Sequence, residues 1–538
     1  MAMMLRRPLP AALILVLLWA GWRLAVLWHT GIPLPMIHDE FSYLLQADIF
    51  AHGHLAMPPH PLGRFFESPM ELFRPVYASK YPPGQALFLA LGQRLFGSPF
   101  YGVLIGNALM LFTFCLMLYA WVPCRWALAV SAMFGLILSP GTYWTDSYWG
   151  GSVAASGGAL VLLGIGIYRA RQGPLAGVVF AVGVMLLFWT RPYEGGVFTL
   201  LVLMVFTREL WRKRRASVFA VAVLALALGG VWTCYDNQAV TGNPFRLPYQ
   251  LHMSQYEVVP VFWFQPLRPE PAYSHPRLAA LWGTNGAEVS YYEKERPRWQ
   301  LLGIGLVGAL VSFKRLSLTV LLALAVPVAW RDPLFRKMAI VAGVFLLALS
   351  VETYHLEHYT APLWAALALM VAVWAERAWN LRLRRQHVGV ALVLLALASP
   401  AISFMAYESI KARYFPNLKP DSMNRSSPIY WPKRRFALTE RLSSLDRPQL
   451  VIVRYPSPDW ALHVEWVYNS ADIDRQRVVF AHDLGTEQDR ALLGYYPDRT
   501  AWLLTFDRVS GQEHIEPYPP AAISTAGDGK SASCINVR

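Results

Sequence analysis

The sequence predicts an α-helical polytopic membrane protein with about eleven transmembrane helices, juxtamembrane helices and a small C-terminal α/β soluble domain. Three observations lead there. Of 538 residues, 55% are hydrophobic and only 15% charged, too apolar a balance for a soluble chain of this length. Of eleven separate apolar runs, several approach the roughly 20 apolar residues that a bilayer-crossing helix needs. After the last run the pattern changes to short strand-like stretches between polar segments.

The N-terminal stretch "MAMMLRRPLPAALILVLLWAGWRLAVLW" has a basic flank and an apolar core but no convincing small-residue cleavage site, so it reads as a retained first helix. The apolar runs lie near residues 10–28, 101–121, 126–140, 153–168, 174–190, 195–207, 217–233, 301–330, 338–350, 362–378 and 388–405. The run at 301–330 is too long for one straight span and reads as a surface helix followed by a span. "GQALFLALGQRLFG" (84–97) is short and reads as a partly interfacial helix. Residues 1–405 therefore form a transmembrane module with long loops at 29–83 and 234–300, and 406–538 a separate soluble unit. Within that unit "QLVIVRY" (449–455), "RVVFAHD" (477–483) and "TAWLLTF" (500–506) read as buried strands, with "GTEQDRALLGYY" (485–496) as a helix between the last two. "STAGDGKSAS" (524–533) has the composition of a disordered tail, and no internal repeat is visible.

The net charge of +14 sits in short clusters between apolar runs, which argues for topology signals rather than a nucleic-acid surface. Arg6, Arg7, Arg125, Arg169, Arg171, "RELWRKRR" (208–215), "RDPLFRK" (331–337) and "LRLRR" (381–385) fall on alternate loops, which marks those loops as cytoplasmic. The opposite face then receives Asp39, Glu40, Lys80, Asp146, Arg191, Glu194 and "ETYHLEHY" (352–359). Those polar residues did not enter the assignment, so their convergence independently points to a site on the outer face. Cys115, Cys124, Cys234 and Cys534 show no ligand-like spacing and imply neither a metal site nor a disulfide framework.

Each polar motif has two readings. Asp39 and Glu40 are either a solvated interfacial pair or a general base, since adjacent carboxylates in apolar surroundings raise each other's pKa. Lys80, in "YASKYPPGQALFL", either snorkels or offers a point charge to a lipid phosphate at the start of a helix. "SPGTYWTDSYWGGS" (139–152) surrounds Asp146 with aromatic rings, Tyr148 among them, as an interfacial belt or as a sugar-binding surface. Arg191 either pairs with Glu194 or grips a phosphate with its forked donors. In "VETYHLEHYTAP" (351–362), His355 and His358 with Glu357 between them raise a metal site; otherwise they and Tyr359 would close the site and bind phosphate or acceptor. Helical spacing would put the two histidines on one face. No cofactor is required by these motifs, and a divalent metal stays open.

Together, the Asp-Glu pair after the first span, the Lys-Tyr-Pro-Pro start of a helix and the aspartate loop after the third span resemble the GT-C membrane glycosyltransferases. The nearest groups are the protein O-mannosyltransferases and the aminoarabinose transferases that modify lipid A. The resemblance is specific over about the first 200 residues. It implies a sugar donor on a polyprenyl phosphate, an inverting transfer to an acceptor hydroxyl, and an acid of the first outer loop as base. On this chain that gives Asp39 as base, with Glu40 positioning the acceptor or sharing the role. Lys80 and Arg191, with His355 and His358, would hold the phosphate. Asp146, Tyr148, Glu194, Glu357 and Tyr359 would meet sugar or acceptor. Many relatives have Lys-Pro-Pro where this chain has Lys-Tyr-Pro-Pro, and the mannosyltransferases carry their extra outer domain in an internal loop rather than a tail.

The expected partners are a polyprenyl-phosphate-linked sugar, a lipid, glycan or protein acceptor, and membrane lipids, with no nucleic acid. The expected location is a bacterial inner membrane with site and tail in the periplasm. A polytopic transporter or flippase is the rival from another class, but its polar groups would gather near the midplane, often with inverted repeats. An oligosaccharide ligase or polymerase is the nearer rival.

Overall fold

The computed structural model describes residues 7–138, 144–171, 173–212, 215–294, 327–382, 386–414 and 430–519. In chain order the helices are α1 (Pro8–Thr30), α2 (His38–Ala51), α3 (Gly84–Phe96), α4 (Phe100–Trp121), α5 (Cys124–Ile137), α6 (Ser152–Arg171), α7 (Leu175–Phe188), α8 (Pro192–Arg212), α9 (Ala216–Thr241), α10 (Pro248–Tyr256), α11 (Pro276–Trp282) and α12 (Ala287–Lys294). Then come α13 (Pro333–Leu349), α14 (Trp364–Ala378), α15 (Val388–Tyr414), α16 (Trp431–Ser443) and α17 (Thr486–Tyr495). Ten of the eleven apolar runs are helical; the run at 301–330 lies almost wholly outside the described residues, as does "STAGDGKSAS". Five described stretches are long and apolar enough to cross a membrane: Pro8–Thr30, Phe100–Trp121, Ser152–Ala170, Ala216–Thr241 and Glu357–Ala378.

Two elements extend past their apolar runs. α15 continues to Tyr414, beyond the boundary expected at 405, and α9 continues to Thr241, into the segment expected to be loop. In α9 the polar end stays helical because its side chains are used: Asp236 and Asn237 are buried and Asn237 Nδ2 donates to the Pro244 carbonyl at 3.0 Å.

The three strands expected in the tail are β3 (Gln449–Arg454), β4 (Val478–His482) and β5 (Thr500–Phe506), and a fourth, β6 (Glu513–Pro517), was not expected. β1 (Glu71–Leu72) and β2 (Ala78–Ser79) form a small antiparallel pair elsewhere. The tail sheet runs β4-β3-β5-β6, parallel over the first three and antiparallel at β6. Period-two alternation sends Leu450, Ile452, Val479, Ala481 and Leu503 to one face and Val451, Val453, Phe480 and Leu504 to the other. Both faces are covered, as a parallel sheet requires. The first face packs on Leu45, Ile49, Phe65, Phe66, Phe73 and Tyr77 of the 29–83 segment, and the second on α16 and on Phe41 of α2.

Residues 430–519 thus share a core with the segment that follows α1. Polar contacts reinforce the junction. His275 and His482, both buried, lie with ring centroids 4.3 Å apart and both Nε2 atoms reach the Glu67 carbonyl, at 3.2 and 2.9 Å. Arg277 donates to Glu465 at 2.8 Å and to the Trp460 and Val464 carbonyls, also at 2.8 Å.

Candidate functional site

The connections after α1, before α3, between α5 and α6, between α7 and α8, after α9 and between α13 and α14 meet at one end of the helix bundle. A close backbone approach helps to bring them there. The Gly84 amide at the head of α3 donates to the Trp189 carbonyl at 2.6 Å, and a Cβ on Gly84 would stand 2.6 Å from that same oxygen. Glycine therefore lets the Lys80-Tyr-Pro-Pro segment close on the end of α7, from which Arg191 emerges.

Asp39 sits in the first turn of α2, where the helix dipole favours a negative charge. It is half-buried, and its Oδ1 accepts a hydrogen bond from the Tyr81 hydroxyl. Among the described residues Oδ2 accepts none. The Tyr81 ring stacks on Tyr43 at 4.5 Å, so that donor is held in place. Tyr43 in turn lies beside Arg191; burial pushes its hydroxyl up to about 12.

Glu40 behaves differently. It is 1% exposed; its Oε2 accepts from the Met36 and Ile37 amides at 2.7 and 3.3 Å, closing a capping box at the start of α2. Its Oε1 accepts from the Tyr148 amide at 2.9 Å, tying down the aspartate loop. Tyr148 donates its own hydroxyl to the Pro33 carbonyl at 2.8 Å. Asp146 pairs at 2.8 Å with Arg23, a 1% exposed arginine of α1 that the sequence motifs did not include. Glu40, Tyr148 and Asp146 thus hold the floor of the site together.

Lys80 is buried rather than snorkelling. Its ammonium lies 2.9 Å from Glu257 and within 4.8 Å of the Tyr249 ring and 5.4 Å of the Tyr81 and Trp282 rings. His252 Nδ1 meets the same Glu257 oxygen at 2.8 Å. Burial alone would raise the Glu257 carboxyl, but Lys80 and His252 outweigh it and hold the group at about 2. Burial, reinforced by Lys80, brings His252 down to about 4.

Arg191 lies 3.7 Å from Glu194 and 4.4 Å over the Tyr359 ring. Glu352, 5% exposed and bridged through its backbone to Phe262, faces the same group; burial first, then Glu194, push its carboxyl well above the usual range. Its Oε2 has no hydrogen-bond partner among the described residues. Tyr354 donates to Glu288, whose carboxyl burial also raises. The two histidines of "ETYHLEHY" do not share a helical face: the 3-10 turn starts at Glu357 and ends at Leu363, leaving His355 before it. His358 packs on Trp149 at 5.4 Å, and the His355 Nε2 is buried without a partner among the described residues. No three His, Cys, Asp or Glu side chains gather as a metal cage among the described residues.

Around Asp39 the structure therefore assembles Tyr43, Tyr81, Arg191, Glu194 and Tyr359, with the Lys80 cage alongside. Tyr43, Tyr81, Tyr249, His252, Glu257 and Glu288 were not singled out in the sequence, and Glu352 entered only as the first residue of "ETYHLEHY". The signal for the first two was their position, one helical turn after Asp39 and directly after Lys80.

Neither a family model nor a curated protein sequence matches this chain. Among solved structures it is similar to ArnT from Cupriavidus metallidurans bound to undecaprenyl phosphate, at 14% identity over 91% of this chain and 93% of that one, with a TM-score of 0.51. The fold is of the GT-C type. The apo form of the same ArnT follows, at 14% identity, 91% and 92% coverage and a TM-score of 0.48. An oligosaccharyltransferase from Archaeoglobus fulgidus with an inhibitory peptide and a dolichol-phosphate gives 12%, 93%, 69% and 0.38. The GT-C resemblance seen in the first 200 residues thus extends, as a fold, along nearly the whole chain.

Proposed function

We propose that the protein is a membrane glycosyltransferase that moves a sugar from a polyprenyl-phosphate donor to an acceptor hydroxyl, with inversion. The observation that carries the proposal is the placement of Asp39. It stands at the head of a helix with one oxygen oriented by Tyr81 and the other without a partner among the described residues, in the same cluster as Arg191. The ArnT structure of the same fold holds undecaprenyl phosphate, which supports a lipid-phosphate donor.

In this reading Asp39 takes the proton of the acceptor hydroxyl as its oxygen attacks the anomeric carbon. The bond from that carbon to the phosphate oxygen breaks, and polyprenyl phosphate leaves with the electron pair. Arg191 stabilises the charge growing on the phosphate through its forked donors, with Lys80 and His355 as further contacts. His358 is a further contact to the phosphate, and Glu194, Glu357 and Tyr359 line the sugar and acceptor side. Glu40, Asp146 and Tyr148 act by holding the loops. About eleven spans, an outer-facing site and a bacterial inner membrane complete the proposal, on the alternation of basic loops.

The test is transfer of labelled sugar from a panel of polyprenyl-phosphate donors in membranes holding equal amounts of wild type or Asp39→Asn. Transfer by the wild type alone, with release of polyprenyl phosphate, is expected. Transfer retained by Asp39→Asn would move the base elsewhere, and none from any donor would favour the transporter reading.

A further inference from the structure

The segment 466–471, between β3 and β4, runs along α2 and grips it at three points. At the head of the helix, Tyr468 Oη and His38 Nδ1 lie 2.6 Å apart, and His38 immediately precedes Asp39. In the middle, the Tyr468 ring stacks on Phe41 with centroids 4.0 Å apart and planes 2° from parallel. Near the end, the Ala471 amide donates to Asp48 at 2.9 Å, while Gln93 of α3 holds the other Asp48 oxygen, also at 2.9 Å.

The grip is itself braced. Arg435 of α16 donates to the Trp466 and Tyr468 carbonyls at 3.1 and 2.7 Å and lies 5.4 Å over Phe41 and 4.7 Å over Phe480. Burial keeps the His38 ring neutral at neutral pH, its pKa brought down to about 4. The hydrogen bond between Tyr468 and His38 and the stack of Tyr468 on Phe41 thus set the rotation of the first turn of α2.

We propose that His38 and Tyr468 are positioning residues for Asp39, so that the C-terminal sheet unit serves to aim the base at the acceptor. This rests on the reading of Asp39 as base. The tail is then part of the catalytic apparatus, acting through α2 without touching substrate.

The experiment compares Tyr468→Phe, His38→Ala, His38→Gln and the double variant Tyr468→Phe/His38→Ala in the full-length protein, beside Asp39→Asn. It measures kcat, KM for the donor and thermal unfolding. Loss of an orienting bond at a base costs rate rather than ground-state affinity, so Tyr468→Phe and His38→Ala should each lower kcat about tenfold with KM within twofold. The double variant should be no worse than His38→Ala alone, since both remove one interaction. His38→Gln, whose amide can keep a hydrogen bond to the Tyr468 hydroxyl, should regain most of the rate. A merely structural role would lower the melting temperature and the folded yield while leaving kcat per folded molecule unchanged, and that result overturns the proposal. So does wild-type kcat in Tyr468→Phe when Asp39→Asn is dead. Activity retained by Asp39→Asn would instead remove the base assignment on which the proposal stands.

Discussion

Replacing Glu257 by Gln should destabilise the protein by about 3 kcal/mol. The carboxylate is 5% exposed and is the anion that faces the buried Lys80 ammonium at 2.9 Å. Gln keeps the shape and an oxygen for His252 but removes the charge, leaving the ammonium inside a cage of three rings. Two estimates agree on the cost. The carboxyl falls from 4.5 to about 2 on folding, and at about 1.4 kcal/mol per pKa unit this is roughly 3 kcal/mol. Breaking one side of a buried pair typically costs about 3–5 kcal/mol. The stabilisation is complete above pH ~4.5 and fades as pH falls toward about 2, so at pH 7 the variant should show the full loss. At about 2–4 °C per kcal/mol, the scale for units of 150–250 residues, detergent-purified Glu257→Gln should melt roughly 6–12 °C lower. Glu257→Gln with Lys80→Met should recover much of that, because neither charge is then left alone. The freed ammonium should also gain affinity for polyprenyl phosphate, which is read by titrating the lipid against melting temperature. A single variant that melts within about 2 °C of wild type, or a double variant worse than either single, would refute the ion-pair reasoning.

Gly84→Ala should reduce folded yield and activity together, since its methyl would meet the Trp189 carbonyl at 2.6 Å; wild-type yield and kcat would show that the α3 and α7 connections do not need that approach. Stability should fall as pH drops below about 6.5, because burial keeps His275 and His482 neutral in the fold, His275 down to about 3, while the unfolded chain takes up their protons. His275, held at about 3 in the fold, contributes about 1.4 kcal/mol per pH unit in that window, so His275→Gln should flatten the melting-temperature slope between pH 6.5 and 5; an unchanged slope would refute the assignment.

How legible the molecule was depends on the range of the forces involved. The bundle was readable because burial in lipid imposes long apolar runs, and the tail strands because a sheet covered on both faces needs unbroken apolar stretches. Asp39, Lys80 and Arg191 were readable because charge next to an apolar run is costly and so conspicuous. Glu257 and His252 were not, for they lie in a mixed segment where polar residues cost nothing locally. Only the tertiary approach of α10 to the end of β2 buries them. Arg23 was hidden in the opposite way: a lone arginine inside a 23-residue apolar helix carries no local sign of Asp146, the partner that neutralises it. Tyr468 stands over 400 positions from His38, and no local pattern can pair residues at that distance.

The adjacent carboxylates Asp39 and Glu40 then divide the work by the direction in which α2 turns them. Successive residues on a helix point about 100° apart, so two neighbours cannot face the same partner. Glu40 turns inward and is consumed by three backbone amides, from Met36, Ile37 and Tyr148. Asp39 turns toward Tyr81 and the Arg191 cluster. Without Glu40 the first turn of α2 would lose its cap and the loop carrying Asp146 its anchor, so the buried acid is what allows the half-buried one to hold a direction. Glu40→Gln, which retains one acceptor oxygen and so serves only part of this set, should therefore impair transfer through the placement of Asp39 rather than through lost proton transfer. Kinetics that separate the two show it: a lowered kcat in Glu40→Gln with the pH profile of the wild type supports the division, and a pH profile that loses its acid limb would make Glu40 the base.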